Sequence, residues 1–403
     1  MIRPTPRVCG VPRWQSVCLF VLLVVASARF AVNAGSLLAA QRDVLYQAGT
    51  LAFNYFQFGA VRRGLGGSIA YLLSRDATAA TIWFHFLSAA CVASTAAWLF
   101  RRLEAPPCTR WAFALTMLVI MLRWGEDAGR TDMAVAALLG CATIAFVRRR
   151  PAVASVFVGV GLFVHESSFV FGLPLLLSLA MQTGWARITP RQRLAMAAVL
   201  GAALVLYLNL DAFPHAGRRE MVQVIRTRLP IHEHVDWALY FALSGMRGVQ
   251  ASICQNLTDP SYWVHPTSGL VVIGLACAAV VERGRARLAW ALLAALPGFV
   301  FLCVIANDMS RWAMFACFNV WLVAIAAPSS GSSTGRSQWL RPVIAAALVP
   351  LVLQRPWQVE FRIYAPSPLL EAMVRRKGGA RTPSVEEALE RCDPHWTDVL
   401  YTP

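Results

Sequence analysis

The stretch RRRPAVASVFVGVGLFVHESSFVFGLPLLLSLAMQT, residues 148–183, decides how the chain is threaded. It opens on Arg148, Arg149 and Arg150, runs apolar to Val164, meets His165-Glu166, and runs apolar again to Thr183. A membrane-crossing helix needs about 20 residues, at about 1.5 Å of rise each. The stretch can therefore be one long span or two short ones that turn at His165-Glu166. Flanking charge separates the two readings, because connections on the cytoplasmic side carry an excess of arginine and lysine. One span would place every later arginine cluster outside. Two spans, with the N-terminus inside, put each cluster on the inner face: Arg101, Arg102 and Arg110; Arg148 to Arg150; Arg187, Arg191 and Arg193; Arg283, Arg285 and Arg287; Arg336 and Arg341. The only acids in those connections are Glu104 and Glu282.

Outward from that stretch the same pattern holds. Of 403 residues, 57% are hydrophobic and 14% charged, far fewer charges than the roughly 25% of a soluble chain. The sequence predicts an all-α, polytopic bundle of about eleven spans, near 16–40, 77–100, 111–122, 131–147, 151–164, 167–183, 192–210, 264–281, 287–306, 312–328 and 340–354. Residues 1–354 form the membrane domain, with outer loops 41–76 and 211–263, and 355–403 a polar outer tail. Ala26-Ser27-Ala28 resembles a signal-peptidase site, but the apolar stretch continues past Arg29 to Ala40, which favours an uncleaved first span.

The net charge of +16 is nearly all arginine, with Lys377 the single lysine. These arginines sit in small clusters between apolar runs and not along a basic stripe, which argues against nucleic acid as a partner. Most of the ten cysteines lie inside apolar runs and act as small hydrophobes. Cys254 and Cys392 fall in outer polar segments and can pair, although two cysteines define no framework.

Threading gathers the unusual polar residues at the outer face. Asp43 closely follows the first span, as a base for a hydroxyl or as a solvated loop carboxylate. Arg62 and Arg63 stand against the positive-inside trend before Gly64, Gly66 and Gly67. A phosphate ligand would offset that, since guanidinium forks match phosphate oxygens and a glycine-rich helix start admits close backbone approach; snorkelling to headgroups is the alternative. Glu126, Asp127, Arg130 and Asp132 form the most charged stretch beside any span. The apolar run before it, 111–122, is too short to cross, so these groups sit below the surface in a wet cavity, or Asp127 and Arg130 simply pair. His165 and Glu166 occupy a vertex between short spans, as acid–base and phosphate groups or as structural ones. Asp308 and Arg311 stand i,i+3 at a span start, with Trp312 as an interface anchor or sugar platform. Trp237, Tyr240, Tyr262 and Trp263 of the long outer loop are further stacking candidates. His232-Glu233-His234 with His215 lacks any metal-ligand spacing, and His85, among aromatics in a span, reads as structural.

The first span followed by Asp43, with the Arg62-Arg63-Gly64-Leu65, Asp127-to-Asp132, His165-Glu166 and Asp308-to-Trp312 elements, resembles the polytopic GT-C-type glycosyltransferases and Wzy-like polysaccharide-assembly proteins of bacteria. The resemblance covers most of the chain as architecture through short motifs. It implies a bacterial inner-membrane enzyme that moves a sugar from a polyprenyl-phosphate-linked donor to a glycan or lipid acceptor on the outer face. It implies Asp43 as base or ligand of a divalent metal, although no motif requires a metal. Asp127, His165 and Glu166 join Asp43 as candidate catalytic groups, and Arg62, Arg63, Arg130, Asp132, Asp308, Arg311 and Trp312 as substrate and phosphate contacts. Against it, no second acid stands immediately beside Asp43 and no large C-terminal domain follows. A flippase or transporter for lipid-linked or anionic substrates and a non-catalytic assembly subunit are the rival expectations.

Overall fold

The computed structural model describes residues 13–32, 48–103, 107–125, 129–229, 233–258, 273–274, 276–277, 285–305, 309–326 and 390–401. Regular structure among them is helical, apart from one isolated bridge between Gly59 and His215. The helices are α1 (Arg13–Val32), α2 (Tyr55–Phe58), α3 (Gly64–Leu73), α4 (Ala77–Arg102), α5 (Pro107–Trp124), α6 (Asp132–Val147), α7 (Pro151–Val164) and α8 (Ser167–Thr183). Then come α9 (Pro190–Leu208), α10 (Arg218–Arg228), α11 (Glu233–Leu243), α12 (Met246–Thr258), α13 (Arg285–Ile305), α14 (Met309–Ala326) and α15 (Asp398–Tyr401).

Among the described residues, three stretches are long and apolar enough to cross a membrane: Ala77–Arg102, Pro190–Leu208 and Leu288–Ile305. The surface agrees with a lipid environment. Val17, Val21 and Val25 on α1, Leu173 and Leu177 on α8, and Val300 and Val304 on α13 are exposed at helical spacing. Water disfavours such contiguous apolar stripes. The expected spans at 264–281 and 340–354 lie almost wholly outside the described residues.

Residues 148–183 double back on themselves. Ser168 Oγ donates to Val158 O at 3.1 Å, and a Cβ on Gly172 would lie 2.6 Å from Val158 Cγ1. The two helices are therefore antiparallel and in contact, with the reversal at His165-Glu166. Their close approach depends on Gly161 and Gly172, which face Ser168 and Val158. The turn between α6 and α7 is equally tight, with Arg149 in the left-handed region at φ 59° before Pro151 opens α7. Arg102 and Arg148 both lie over the Trp98 ring, at 5.0 and 5.6 Å, so two basic turns meet at the end of the bundle away from His165.

The run at 111–122 proves longer than its apolar part. Residues Pro107 to Arg110 and Arg123-Trp124 extend α5 to 18 residues. The flanking arginines hid this from a hydropathy reading, although charged ends are compatible with a helix. α5 lies between α1 and α14, with Trp124 against Phe315 and Phe318, and Phe113 against Trp321.

A buried amide fastens the centre. Asn319 Nδ2 on α14 donates to Phe171 O of α8 at 3.0 Å and to Ala294 O of α13 at 2.9 Å. Both helices contain a proline, Pro174 and Pro297, and both carbonyls lie three residues before it. Proline bends a helix and loosens the turn before it. Asn319 bonds one carbonyl of that turn in each helix and so ties the two bends together.

A second, smaller core caps the bundle. It joins Phe53, Phe58 and Val61 to Met221, Val222 and Ile225 of α10, Leu239 and Tyr240 of α11, Ala251 of α12, and Trp396, Val399 and Leu400 of the tail. The pairing left open in the sequence is formed: a disulfide joins Cys254 to Cys392, with the Cα atoms 5.8 Å apart. Tyr240 Oη donates to Asp393 Oδ2 at 2.8 Å, and Arg247 Nη2 donates to Asp393 Oδ1 at 2.5 Å. Burial, Asp393 and its charge push the Tyr240 hydroxyl well above the usual phenol range. Tyr240 is thus an internal strut of the cap and offers no free ring face to a sugar.

Candidate functional site

At the capped end, five separate segments converge around the α7–α8 vertex. His165 ends α7 in extended conformation and Glu166 precedes α8. The loop before α3 brings Arg63, α6 brings Asp132, α9 brings Tyr207, and α14 brings Arg311 and Trp312.

Glu166 is the hub. Arg63 Nε donates to Glu166 Oε2 at 2.8 Å, and the Tyr207 hydroxyl donates to Glu166 Oε1. About a third of the Glu166 side chain, 35%, is exposed. Burial alone would raise its pKa. Arg63, His165 and the Tyr207 hydroxyl overcome this and hold it at about 2. Glu166 is therefore an anion at any physiological pH, placed at a helix N-terminus where negative charge is favoured. Arg63 reaches it from a strained backbone, at φ 58° in the left-handed region. For a residue other than glycine, asparagine or aspartate that geometry costs on the order of 1–2 kcal/mol. The ion pair to Glu166 is one of the contacts that hold it.

His165 carries no charge. Its Nδ1 accepts from the Ser167 N–H at 3.1 Å, which puts the proton on Nε2. Burial, reinforced by Arg63 and Arg311 against Glu166 and Asp132, lowers its pKa to about 4. The ring, 15% exposed, is 6.4 Å from the Trp312 ring between centroids. It is a neutral hydrogen-bond donor between two ion pairs.

The second pair is deeper. Arg311 donates through Nε and Nη2 to the two Asp132 oxygens at 2.5 and 2.6 Å, and the Asp132 side chain is 0% exposed. Asp132 stands in the first turn of α6, again at a helix N-terminus. Arg311 Cζ also lies 4.8 Å from the Trp312 ring centroid. Trp312 itself is buried against Phe171 and Phe315, so it anchors the site floor and not the membrane interface. Its Nε1 and the Ser167 Oγ are buried with no hydrogen-bond partner among the described residues.

The remaining candidates divide. Arg62 is exposed at the rim, 3.4 Å from Asp211. Arg130 is half-buried in the turn before α6. Asp43, Asp127 and Asp308 lie outside the described residues, as do Glu126, His232, Tyr262 and Trp263. Arg311 pairs with Asp132 from 179 positions away, while the helix cap expected from Asp308 lies outside the described residues. Among the described residues no group of three or more His, Cys, Asp or Glu gathers to hold a metal ion, so nothing there places a divalent cation. His85 is structural, bonded through its ring nitrogens to Ser27 O at 3.0 Å and Gly129 N–H at 3.3 Å. Tyr207 escaped the sequence reading. It is one aromatic at the end of an apolar helix, and nothing local points to a carboxylate 41 residues earlier.

No protein-family model, no curated protein and no solved structure matches this chain.

Proposed function

We propose that this is a multi-pass protein of a bacterial inner membrane, oriented with the N-terminus inside, that transfers a sugar from a polyprenyl-phosphate-linked donor on the outer face. The observation that carries the reading is the convergence of Arg63, Glu166, His165, Asp132 and Arg311 beneath a disulfide-linked cap. Disulfides persist in oxidising compartments, which favours the outer side for the cap and hence for the site. The basic turns at Arg101-Arg102 and Arg148–Arg150 then face the cytoplasm, in accord with the positive-inside rule.

In this reading the arginines stabilise charge that develops on the phosphate leaving group, in a site partly shielded from water. His165 Nε2–H donates to a phosphate or sugar oxygen without adding charge. Glu166 is too weak a base at pKa about 2 to remove a hydroxyl proton, so its role is to orient Arg63 and Tyr207. Asp43 or Asp127 supplies the base. The donor polyprenyl phosphate, a glycan or lipid acceptor and the bilayer are the partners.

A transporter or flippase is the second reading. It is favoured by the internal charge balance: two arginines are matched by two carboxylates and the histidine is neutral. The deciding experiment is lipid-linked-intermediate profiling in a deletion strain, complemented with wild type or with Arg63→Ala. Precursor accumulating on the outer leaflet, cleared by wild type and about 100-fold more slowly by the variant, is the expected result. Precursor trapped on the inner leaflet assigns transport instead. Unchanged glycans and precursors in the deletion strain would exclude both.

A further inference from the structure

Away from the candidate site, two arginines flank one aromatic ring at the rim of the bundle. Arg75 Cζ lies 3.8 Å from the Tyr71 ring centroid and Arg228 Cζ lies 5.8 Å from the same centroid. Phe56 stacks on Tyr71 at 5.8 Å and 25°. Arg228 Nη1 is anchored by donation to Gln57 Oε1 at 2.6 Å. Both arginines are exposed, and neither pairs with a carboxylate among the described residues. The neighbouring acid, Asp76, instead accepts from Ala79 N–H at 2.7 Å and caps α4. Two positive groups at this end are opposed by the positive-inside trend, so something other than topology favours them.

The surroundings supply the chemistry. Arg75 stands two residues before α4, the longest apolar helix able to cross a membrane among the described residues. Below it on α4, Trp83, Leu87 and Cys91 are exposed in an i,i+4 stripe. Beside it, Phe56, Leu72 and Leu73 are exposed. Two guanidiniums thus lie within 6 Å of one ring centroid at the level where a span ends, with apolar surface running from there along the span. That is the shape of a headgroup phosphate with its acyl chains, and arginine with tyrosine suits the interface.

We infer that Arg75, Arg228 and Tyr71 form a binding site for an anionic phospholipid of the outer leaflet, with its chains along Leu72, Trp83 and Leu87. The inference rests on the membrane assignment and not on the transferase reading. The test is native mass spectrometry of the full chain in detergent, titrated with phosphatidylglycerol, phosphatidylcholine or undecaprenyl phosphate. Wild type should retain phosphatidylglycerol at least 10-fold better than phosphatidylcholine. Arg75→Ala/Arg228→Ala should lose that preference, with unchanged helicity and unfolding temperature. Arg228→Lys should keep part of it. Equal retention by the double variant would overturn the site. Stronger retention of undecaprenyl phosphate at the same arginines would overturn the phospholipid assignment and make the patch part of donor binding. Loss of sugar transfer elsewhere would leave the site standing, so its failure and that of the transferase reading are separable.

Discussion

Asp132 shows how much one residue commits in this molecule. Its carboxylate is fully buried and receives two guanidinium hydrogen bonds from Arg311. Removing one partner leaves the other charge in a low-dielectric interior, at about 3–5 kcal/mol. Asp132→Asn or Arg311→Ala should therefore lower unfolding stability by that amount in nanodiscs. The double variant Asp132→Leu/Arg311→Met should recover much of it while remaining inactive, which separates folding from chemistry. His165 gives a pH prediction. Its pKa falls from 6.5 to about 4 on folding. Between those values the unfolded chain binds more protons than the folded one, so stability rises with pH across about 4 to 6.5 and is flat above. Acidification through that window should cost at most about 3 kcal/mol, and His165→Gln should flatten the slope. Glu166, depressed from 4.5 to about 2, adds stability that is complete above 4.5 and is lost as pH falls toward 2. The two effects occupy different windows, and urea titrations at pH 3, 5.5 and 7.5 distinguish them.

At the scale of elements, the close contacts are made by particular residues and not by general hydrophobicity. Asn319 ties α8 and α13 through the carbonyls before their prolines. Asn319→Ala should cost about 1–3 kcal/mol, because buried carbonyls lose their donor, and unfolding temperature would report it. Gly67 of α3 is packed against the chain at Phe53, where a Cβ would meet Phe53 O at 1.8 Å. Backbone cannot rotate away as a side chain can. Gly67→Ala should therefore destabilise by about 3 kcal/mol or more. Gly201 in α9 has nothing within 4 Å, so Gly201→Ala should be neutral or stabilising by up to about 1 kcal/mol. Equal effects at the two positions would show that α3 is not seated as described.

For the whole molecule, the arrangement is a bundle with basic turns at one end and a cap with the polar cluster at the other. The disulfide joins residues 138 positions apart and holds the tail on that cap. Cys254→Ser with Cys392→Ser should weaken the cap by about 2–4 kcal/mol and increase protease cleavage between α12 and α15. In intact cells, an impermeant maleimide should label Cys254 after reduction with an impermeant phosphine, and should not label a cysteine introduced at Arg149. The reverse pattern would invert the topology and put the cluster on the cytoplasmic side.

The sequence by itself determined the helical class, and it located the reversal at His165-Glu166. Charge placement and apolar run length are local properties, readable without contacts. It also marked His165, Glu166, Arg63, Asp132, Arg311 and Trp312 as unusual, because polar groups beside spans carry a high free-energy cost and stand out against an apolar background. Tertiary structure alone decided who meets whom. Asp132 and Arg311 meet across 179 positions, which no local spacing announces. It showed Tyr207 as part of the cluster and turned Tyr240 inward. It closed the Cys254–Cys392 pair. The reason is physical: hydropathy and charge sort each segment between lipid and water one at a time, whereas an ion pair, a hydrogen bond or a disulfide exists only when packing brings distant segments within about 3 Å.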